Sequence, residues 1–428
     1  MIRQLVSRHH TLLYYFSFSM ATSVIGFVAA LVLIRLITPV EYGRIALFNS
    51  VMFFSAPLIS LSAENLIAVN KAKLGPIGYE HFRKTYITLS YLIFGSLQLV
   101  VLAALVAGLV PDPLFMLLPI CGLVRFLISV ASLEYILEQR AVRYGLIGLG
   151  SSLCSLFLSV LFLRVFTPTA KWRILALLIT DLLFLLVRHR GRLRLLSTIS
   201  IDSVIFRQIA TFGFPLLLSL APAWLLNESD KIVVARVTDI ATVGYYAAAA
   251  SIVGVIFVFH TAVINVLTPR IYAWFSSRPD QAMEAIGYYF RRFVMIAFVF
   301  AVVFAATYHI SAAFVLPAKY AQGRAIVYVL IAFSFGRTLY AVLGLSADYF
   351  GMTVEKLIGI VAGGLTTISV SWFMVNRLGV IGAAAGVGCG YLVLSAVLWI
   401  ALLRRQRAMH QLCGAHSGTL PTIPAGTT

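Results

Sequence analysis

Long apolar stretches broken by short polar turns recur along the whole chain, and inside them apolar and polar residues do not alternate strictly. A membrane-spanning helix needs about 20 apolar residues. By that measure about twelve spans are expected, near 13–37, 45–69, 86–110, 114–136, 145–166, 172–188, 212–236, 243–267, 292–314, 325–347, 356–376 and 380–403. The stretches are too long and too little alternating for barrel strands, so the pattern predicts an all-α polytopic membrane protein. The intervening loops are too short to fold as extramembrane domains. The longest gap holds Arg188, Arg190, Arg192, Arg194 and Arg207, and reads as a basic linker over 188–211.

The pattern also repeats. Arg35–Ile37, a turn and Gly43 recur as Arg236–Thr238, a turn and Gly244, at a shift of 201. Farther on, Gly122–Arg125 followed by Leu146-Ile147-Gly148 matches Phe335–Arg337 followed by Leu357-Ile358-Gly359, at shifts of 212 and 211. Each half holds an even number of spans, so the halves are parallel repeats related by a pseudo-twofold axis along the membrane normal. The expected organisation is a six-helix lobe over 1–187, the linker over 188–211, a second six-helix lobe over 212–405, and a disordered tail over 406–428. The apolar run from about Leu12 to Ile37 is longer than a signal-peptide core and has no convincing cleavage site, so it is expected to be a retained first span.

Composition agrees: the chain of 428 residues is 61% hydrophobic and 11% charged, with a mean hydropathy of +0.97, whereas soluble domains are about 25% charged. The balance of 33 basic against 15 acidic residues gives a net charge of +18. That surplus is spread through short loops and not gathered in one domain, so it fits orientation in the membrane and not nucleic-acid binding. With the N-terminus in the cytoplasm, the cytoplasmic loops collect about two thirds of the basic residues, which predicts both termini inside. Cys121, Cys154, Cys389 and Cys413 are far apart and carry no metal or disulfide spacing.

The candidate chemistry lies in charges at mid-span. Arg125 and Arg337 fall near the middle of corresponding spans. Guanidinium cannot be neutralised by deprotonation and grips phosphate through paired hydrogen bonds. The two either line a cationic cavity or are each locked to a carboxylate that holds helices together. Glu228, Asp230 and Lys231 interrupt an apolar stretch where the first repeat has Phe27, Ala29 and Ala30. Glu228 and Lys231 share a helical face and can pair. That leaves Asp230 to meet Arg337 or Arg125, or to take up a coupling proton or sodium ion; a static ion-pair network is the plainer reading. Asp181, alone among leucines, is a proton carrier, the partner of Arg125, or a carboxyl hydrogen-bonded to a neighbouring helix. His260 and His309 read as interfacial residues, and Glu64, Glu134 and Asp348 as boundary residues. Gly382, Gly386 and Gly390 make a helix-packing face. The chain has no P-loop sequence and no loop large enough to hold a catalytic arrangement, so no enzyme activity, cofactor or metal is expected.

Leu33-Ile34-Arg35-Leu36-Ile37-Thr38-Pro39 followed by Glu41-Tyr42-Gly43-Arg44 resembles the opening of Wzx-type polysaccharide flippases of the MOP exporter superfamily. Asp230-Lys231 with Val243-Gly244-Tyr245-Tyr246, Leu316–Tyr320 (with Pro317-Ala318 in place of the usual Phe-Gly), and Leu378–Ala384 resemble three further segments of that family. The resemblance implies a MATE-like, V-shaped pair of lobes around a central cavity in the bacterial inner membrane. It implies movement of an undecaprenyl-diphosphate-linked oligosaccharide from the inner to the outer leaflet, coupled to an ion gradient. Polysaccharide polymerase and chain-length proteins would be partners. In this reading Arg125, Arg337 and Lys231 bind substrate, while Asp181, Glu228 and Asp230 serve coupling or gating. A multidrug cation antiporter of the same superfamily, and a membrane-embedded polymerase or acyltransferase, are the rival readings.

Overall fold

A computed structural model describes residues 2–109, 112–188, 199–278 and 281–416, with side chains at Tyr14 and from Ser17 to Gln406 within them. Among the described residues there is no strand. The first lobe comprises α1 (Ile2–Leu36), α2 (Pro39–Ser60), α3 (Asn65–Lys73), α4 (Pro76–Val106), α5 (Leu117–Leu137), α6 (Ala141–Val165) and α7 (Ala170–Arg188). The second comprises α8 (Ser203–Val237), α9 (Ile240–Ser277), α10 (Ala282–Val315), α11 (Gly323–Tyr349), α12 (Thr353–Leu378) and α13 (Val380–His416). Eleven membrane-span candidates are found among the described residues, one of them formed by α2 and α3 together. The remaining expected span is α7, which carries Lys171, Arg173, Asp181 and Arg188 and so falls outside that apolar count. The chain is a multi-pass membrane protein.

Side-chain oxygens start the helices. Thr38 accepts from Glu41 N at the head of α2, Asp239 accepts from Thr242 N at the head of α9, and Asp202 accepts from Val204 N and Ile205 N at the head of α8. Each satisfies an amide that the helix itself leaves open. His81 lies 3.0 Å from Asp202. That hydrogen bond, with the two amides, holds the Asp202 carboxyl below the usual carboxylate range. The Asp202 cap corrects one sequence-based boundary: 203–211, expected in the linker, opens α8. Helix α13 likewise runs to His416, into the stretch expected to be disordered. Residues 189–198 of the linker and 417–428 of the tail lie outside the described residues. Several helices also exceed the expected spans. At 1.5 Å per residue, the 38 residues of α9 reach about 57 Å, against a hydrocarbon core of about 30 Å.

The lobes meet at the end of the molecule that bears the turns before α2, α7, α9, α11 and α13, called here the far end; the described ends at Ile2, Arg188, Ser203 and His416 lie at the opposite end, called the linker end. At the far end α2 and α9 touch backbone to backbone. A Cβ placed on Gly43 would lie 2.1 Å from Ile240 O, and one on Gly244 would lie 1.8 Å from Pro39 O. Pro39 and Ile240, like Gly43 and Gly244, correspond at the repeat shift of 201. The two contacts are therefore mates across the pseudo-twofold axis, which passes between α2 and α9. The seam is extended by Lys319 Nζ donating to Arg35 O at 2.8 Å, Arg35 to Phe314 O at 3.0 Å, Tyr320 OH to Ile37 O at 3.2 Å, and a 2.9 Å hydrogen bond between Tyr42 and Ser251. The larger hydrophobic core runs across it, with Ile34, Val243, Tyr246 and Tyr320 buried together.

Gly244→Ala should therefore separate α2 from α9 and lower the unfolding midpoint of the purified protein in detergent, at a cost of about 1–3 kcal/mol. Gly254→Ala on the same helix, where a Cβ meets nothing within 4 Å, should be neutral or slightly stabilising. Equal effects of the two substitutions would contradict the seam.

Candidate functional site

Away from the seam the lobes diverge and leave an open cavity of about 840 Å³. Its first-lobe wall is Ser19, Met20 and Ser23 of α1 with Ile136 and Tyr144; its second-lobe wall is α9 from Phe257 to Pro269. These positions lie toward the linker end, so this conformation is closed at the far end and open toward the linker. None of the side chains that line the cavity is charged. Its polar groups are hydroxyls and an amide, from Ser19, Ser23, Tyr144, Thr261, Thr268 and Asn265. Most of the wall is apolar, from Met20, Ile136, Phe257, Val258, Ala262 and Val266; its few hydroxyls can bond neutral hydroxyl-bearing groups, and it gives no counter-charge to a cation.

Phe257 also borders a second, smaller pocket of about 210 Å³ inside the second lobe. There Arg337 of α11 stacks over the Phe257 ring, 4.4 Å from its centre, and lies 5.9 Å from that of Tyr391. Arg337 is exposed although its neighbours Gly336 and Thr338 are buried. Among the described residues no carboxylate lies within salt-bridge distance of it. Across the pocket, Lys231 Nζ donates to Glu228 Oε2 at 2.7 Å, and the same oxygen accepts from Ser50 Oγ at 2.8 Å. Ser50 belongs to α2, so this ion pair ties the second lobe to the first. Trp224 Nε1 adds a 2.8 Å bond to Ser50 O. Asp230 is buried and accepts from Tyr246 OH at 2.6 Å and from Lys231 N at 2.8 Å. Tyr391 OH donates to Asn227 Oδ1 at 2.7 Å.

The structure thus gathers Arg337, Lys231, Glu228 and Asp230 in one pocket at the edge of the large cavity. Glu228 and Lys231 are paired. Asp230 meets neither arginine: its oxygens accept from Tyr246 OH and Lys231 N, and Oδ1 also lies 3.8 Å from Lys231 Nζ, so Lys231 stands between both acids. Arg125 stands elsewhere. Its Nε lies 3.8 Å from Asp181 Oδ2, between α5 and α7 of the first lobe, and its side chain is 47% exposed. It lines neither the 840 Å³ cavity nor the Arg337 pocket. His260 is buried, with Nδ1 3.5 Å from Thr338 Oγ1, and His309 lies 3.0 Å from Tyr328 OH. Glu134, expected only to close a span, is buried and salt-bridged to buried Arg83 at 2.9 Å. Tyr391 and Ser50 were not singled out in the sequence, and Tyr246 only as part of a family segment, not as a partner of Asp230. Their hydroxyls become visible only once helices from distant parts of the chain converge. Arg173 was also missed, although a charge four residues into an apolar helix is a signal of its own.

The family model described as "Polysaccharide biosynthesis protein" matches residues 32–321. No curated protein matches the chain. Among solved structures, an inward-facing conformation of a multidrug resistance MATE family transporter of the MOP superfamily superposes with a TM-score of 0.75 at 16% identity, covering 91% of this chain and 96% of that one. An outward-facing conformation of a multidrug resistance MATE family transporter superposes at 0.53, with 17% identity over 96% and 95% of the two chains. The lipid II flippase MurJ in an inward closed conformation gives 0.63 at 15% identity, covering 90% and 87%. At these identities the likeness establishes the fold, two lobes of the MOP type, and the better fit is to an inward-facing form.

Lys231→Met should leave the Glu228 and Asp230 carboxylates without their cation and lower stability by about 1–3 kcal/mol, less than for a fully buried pair because this one is only partly buried. Adding Glu228→Gln should recover part of that loss, since Asp230 remains without its cation. Thermal unfolding of the single and double variants checks this, and additive losses would mean the pair is not coupled.

Proposed function

Because this chain belongs to the polysaccharide biosynthesis protein family, we propose that it is a transporter that moves a lipid-linked oligosaccharide across the bacterial inner membrane by alternating access. The observation that carries this reading is the juxtaposition of an uncharged, largely apolar cavity of about 840 Å³, dotted with hydroxyls and one amide, with a pocket holding an arginine that has no carboxylate partner among the described residues. A saccharide joined to a lipid through a diphosphate has those two halves: a neutral polyhydroxyl body and a doubly anionic linker. The body occupies the large cavity. The diphosphate meets Arg337, whose planar fork of donors suits phosphate oxygens, with Lys231 across the pocket. The lipid tail stays in the bilayer. The linker end, with its arginines and both termini, faces the cytoplasm under the positive-inside effect, so the cavity opens toward the leaflet where such lipids are assembled.

The loaded state must favour the outward form more than the empty state does, since a ligand shifts an equilibrium only by its difference in affinity for the two states. The ion pair of Glu228 with Lys231, bonded to Ser50 across the lobes, is a contact that can break as α2 and α8 slide. A phosphate that draws Lys231 toward itself would release Glu228 and loosen that tie. Proton or sodium uptake at Glu228 or Asp230 would then reset the cycle. In the first lobe, Arg125 is held by Asp181 and serves the substrate only if that pair opens.

The walls disfavour a multidrug cation antiporter: no carboxylate lines the large cavity, and the two acids of the smaller pocket are bonded to Lys231, Ser50 and Tyr246. MurJ, which shares the fold, is named as a lipid II flippase, and this supports a lipid substrate.

In cells that depend on this protein for surface glycan, Arg337→Gln should cut export at least tenfold while the protein stays inserted and folded. Arg337→Lys, which keeps charge without the fork, should retain part of it. Quantitative staining of surface glycan against membrane protein level reads the effect. Normal export by Arg337→Gln would contradict the assignment.

A further inference from the structure

The polar pocket of the second lobe has a counterpart in the first. It has a volume of about 260 Å³ and is bounded by α1, α2, α6 and α7. The two pockets are the same place in the two repeats. Gly26, Ala29, Ala30, Ile45 and Asn49 line the first, and Asn227, Asp230, Lys231, Tyr246 and Ala250, each 201 residues later, line the second. Both contain an arginine, Arg173 in the first and Arg337 in the second. They differ in their acids. The second pocket has Glu228 and Asp230; the corresponding residues of the first repeat are Phe27 and Ala29.

Arg173 is therefore placed in a membrane-spanning lobe without a built-in counter-charge. Its Nη1 donates to Ser155 Oγ at 3.4 Å and to Ser159 Oγ. Its Nε is sealed from the surface and has no hydrogen-bond partner. Nη2 has no acceptor among the described residues. Glu41 of α2 accepts from Ala170 N at the head of α7, the helix that carries Arg173, and is salt-bridged to Arg44. Asp181, one acid whose charge acts on Arg173, is salt-bridged to Arg125 and is also acted on by Arg188. Three guanidinium groups thus share one carboxylate. A guanidinium cannot shed its charge, and an uncompensated charge at membrane depth is costly. Asn49 lines the same pocket, is exposed to it, and makes no hydrogen bond among the described residues, so its amide is available as a further donor.

We propose that this pocket is a binding site for a small inorganic anion, held by Arg173 with Asn49 and supplying the counter-charge that the second lobe builds in as Glu228 and Asp230. A halide or an inorganic phosphate fits the volume; a lipid-linked saccharide does not, so the site is separate from the substrate path. Tyr42 lines the pocket and bonds Ser251 of the second lobe at 2.9 Å, so occupancy is felt at the seam between lobes. The inference does not depend on what the protein transports.

The test is the unfolding midpoint of the purified full chain in detergent at constant ionic strength. Sodium lactobionate, whose disaccharide acid is too large for the pocket, is replaced stepwise by sodium chloride in one arm and by sodium phosphate in the other. The wild type should show a saturable rise in at least one arm, which also identifies the anion. Arg173→Gln should weaken the apparent affinity at least tenfold. Ser155→Asp, which builds a carboxylate beside the guanidinium, should remove the response and give in lactobionate a midpoint at least as high as that of the wild type with saturating anion. If Arg173→Gln does not fold, Ser155→Asp alone decides. A wild-type midpoint that is the same in all salts, or a response that survives in Ser155→Asp, would overturn the proposal.

Discussion

Two glycines decide how the lobes can sit. With hydrogen atoms in place of side chains, Gly43 and Gly244 let α2 and α9 approach until the backbone of one touches the backbone of the other. No side chain larger than hydrogen fits there. The contact closes the far end, and the carbonyl and ring bonds of Arg35, Lys319 and Tyr320 keep it closed. Because the long helices are joined at one end, their divergence opens a space at the other, and that space is the cavity. In a bilayer, with no hydrophobic force between helices, close backbone approach of this kind is a main source of helix association. The fold, the cavity and the side on which it opens therefore follow from one packing constraint.

The charged groups are organised around the same axis but not symmetrically. The second lobe balances its arginine and lysine with two acids and satisfies those acids through Ser50, Tyr246 and the main chain. The first lobe keeps the pocket, replaces the acids with small and apolar residues, and leaves Arg173 bonded to the hydroxyls of Ser155 and Ser159, with Asp181 shared among three arginines. The second-lobe pocket beside the large cavity is thereby close to neutral, with two cations facing two acids. Charge is thus kept in the two side pockets, and the large cavity between the lobes has no charged side chain in its lining.

Much of this architecture was legible in the sequence, because lipid imposes it. Span length and the absence of alternation gave the helices, and the shift of 201 gave the lobes and the axis; the glycines of that repeat turned out to be the contact itself. Helix ends were less legible. Asp202 starts α8 well before the apolar stretch begins, since a cap depends on a single side chain and not on hydropathy. The site was legible in part. Glu228 and Lys231 are three residues apart and their pairing could be read directly. The bonds of Asp230 to Tyr246 and of Tyr391 to Asn227 could not, because they join helices far apart in the chain. Arg125 and Arg337 look equivalent as repeat mates, yet one is held by Asp181 and the other stands free over Phe257. Repeat position fixes where a side chain starts, and the neighbouring helix decides what it meets.

The central claim is that an anionic, saccharide-bearing lipid crosses the membrane through the space between the lobes. The direct measurement is transbilayer movement of a fluorescent undecaprenyl-diphosphate saccharide in liposomes reconstituted with the purified wild-type chain. Access of an external quencher should rise with time above the protein-free rate, and a polyprenyl diphosphate lacking the sugar should move more slowly. Movement no faster than in empty liposomes, under an imposed proton or sodium gradient of either direction, would contradict the account.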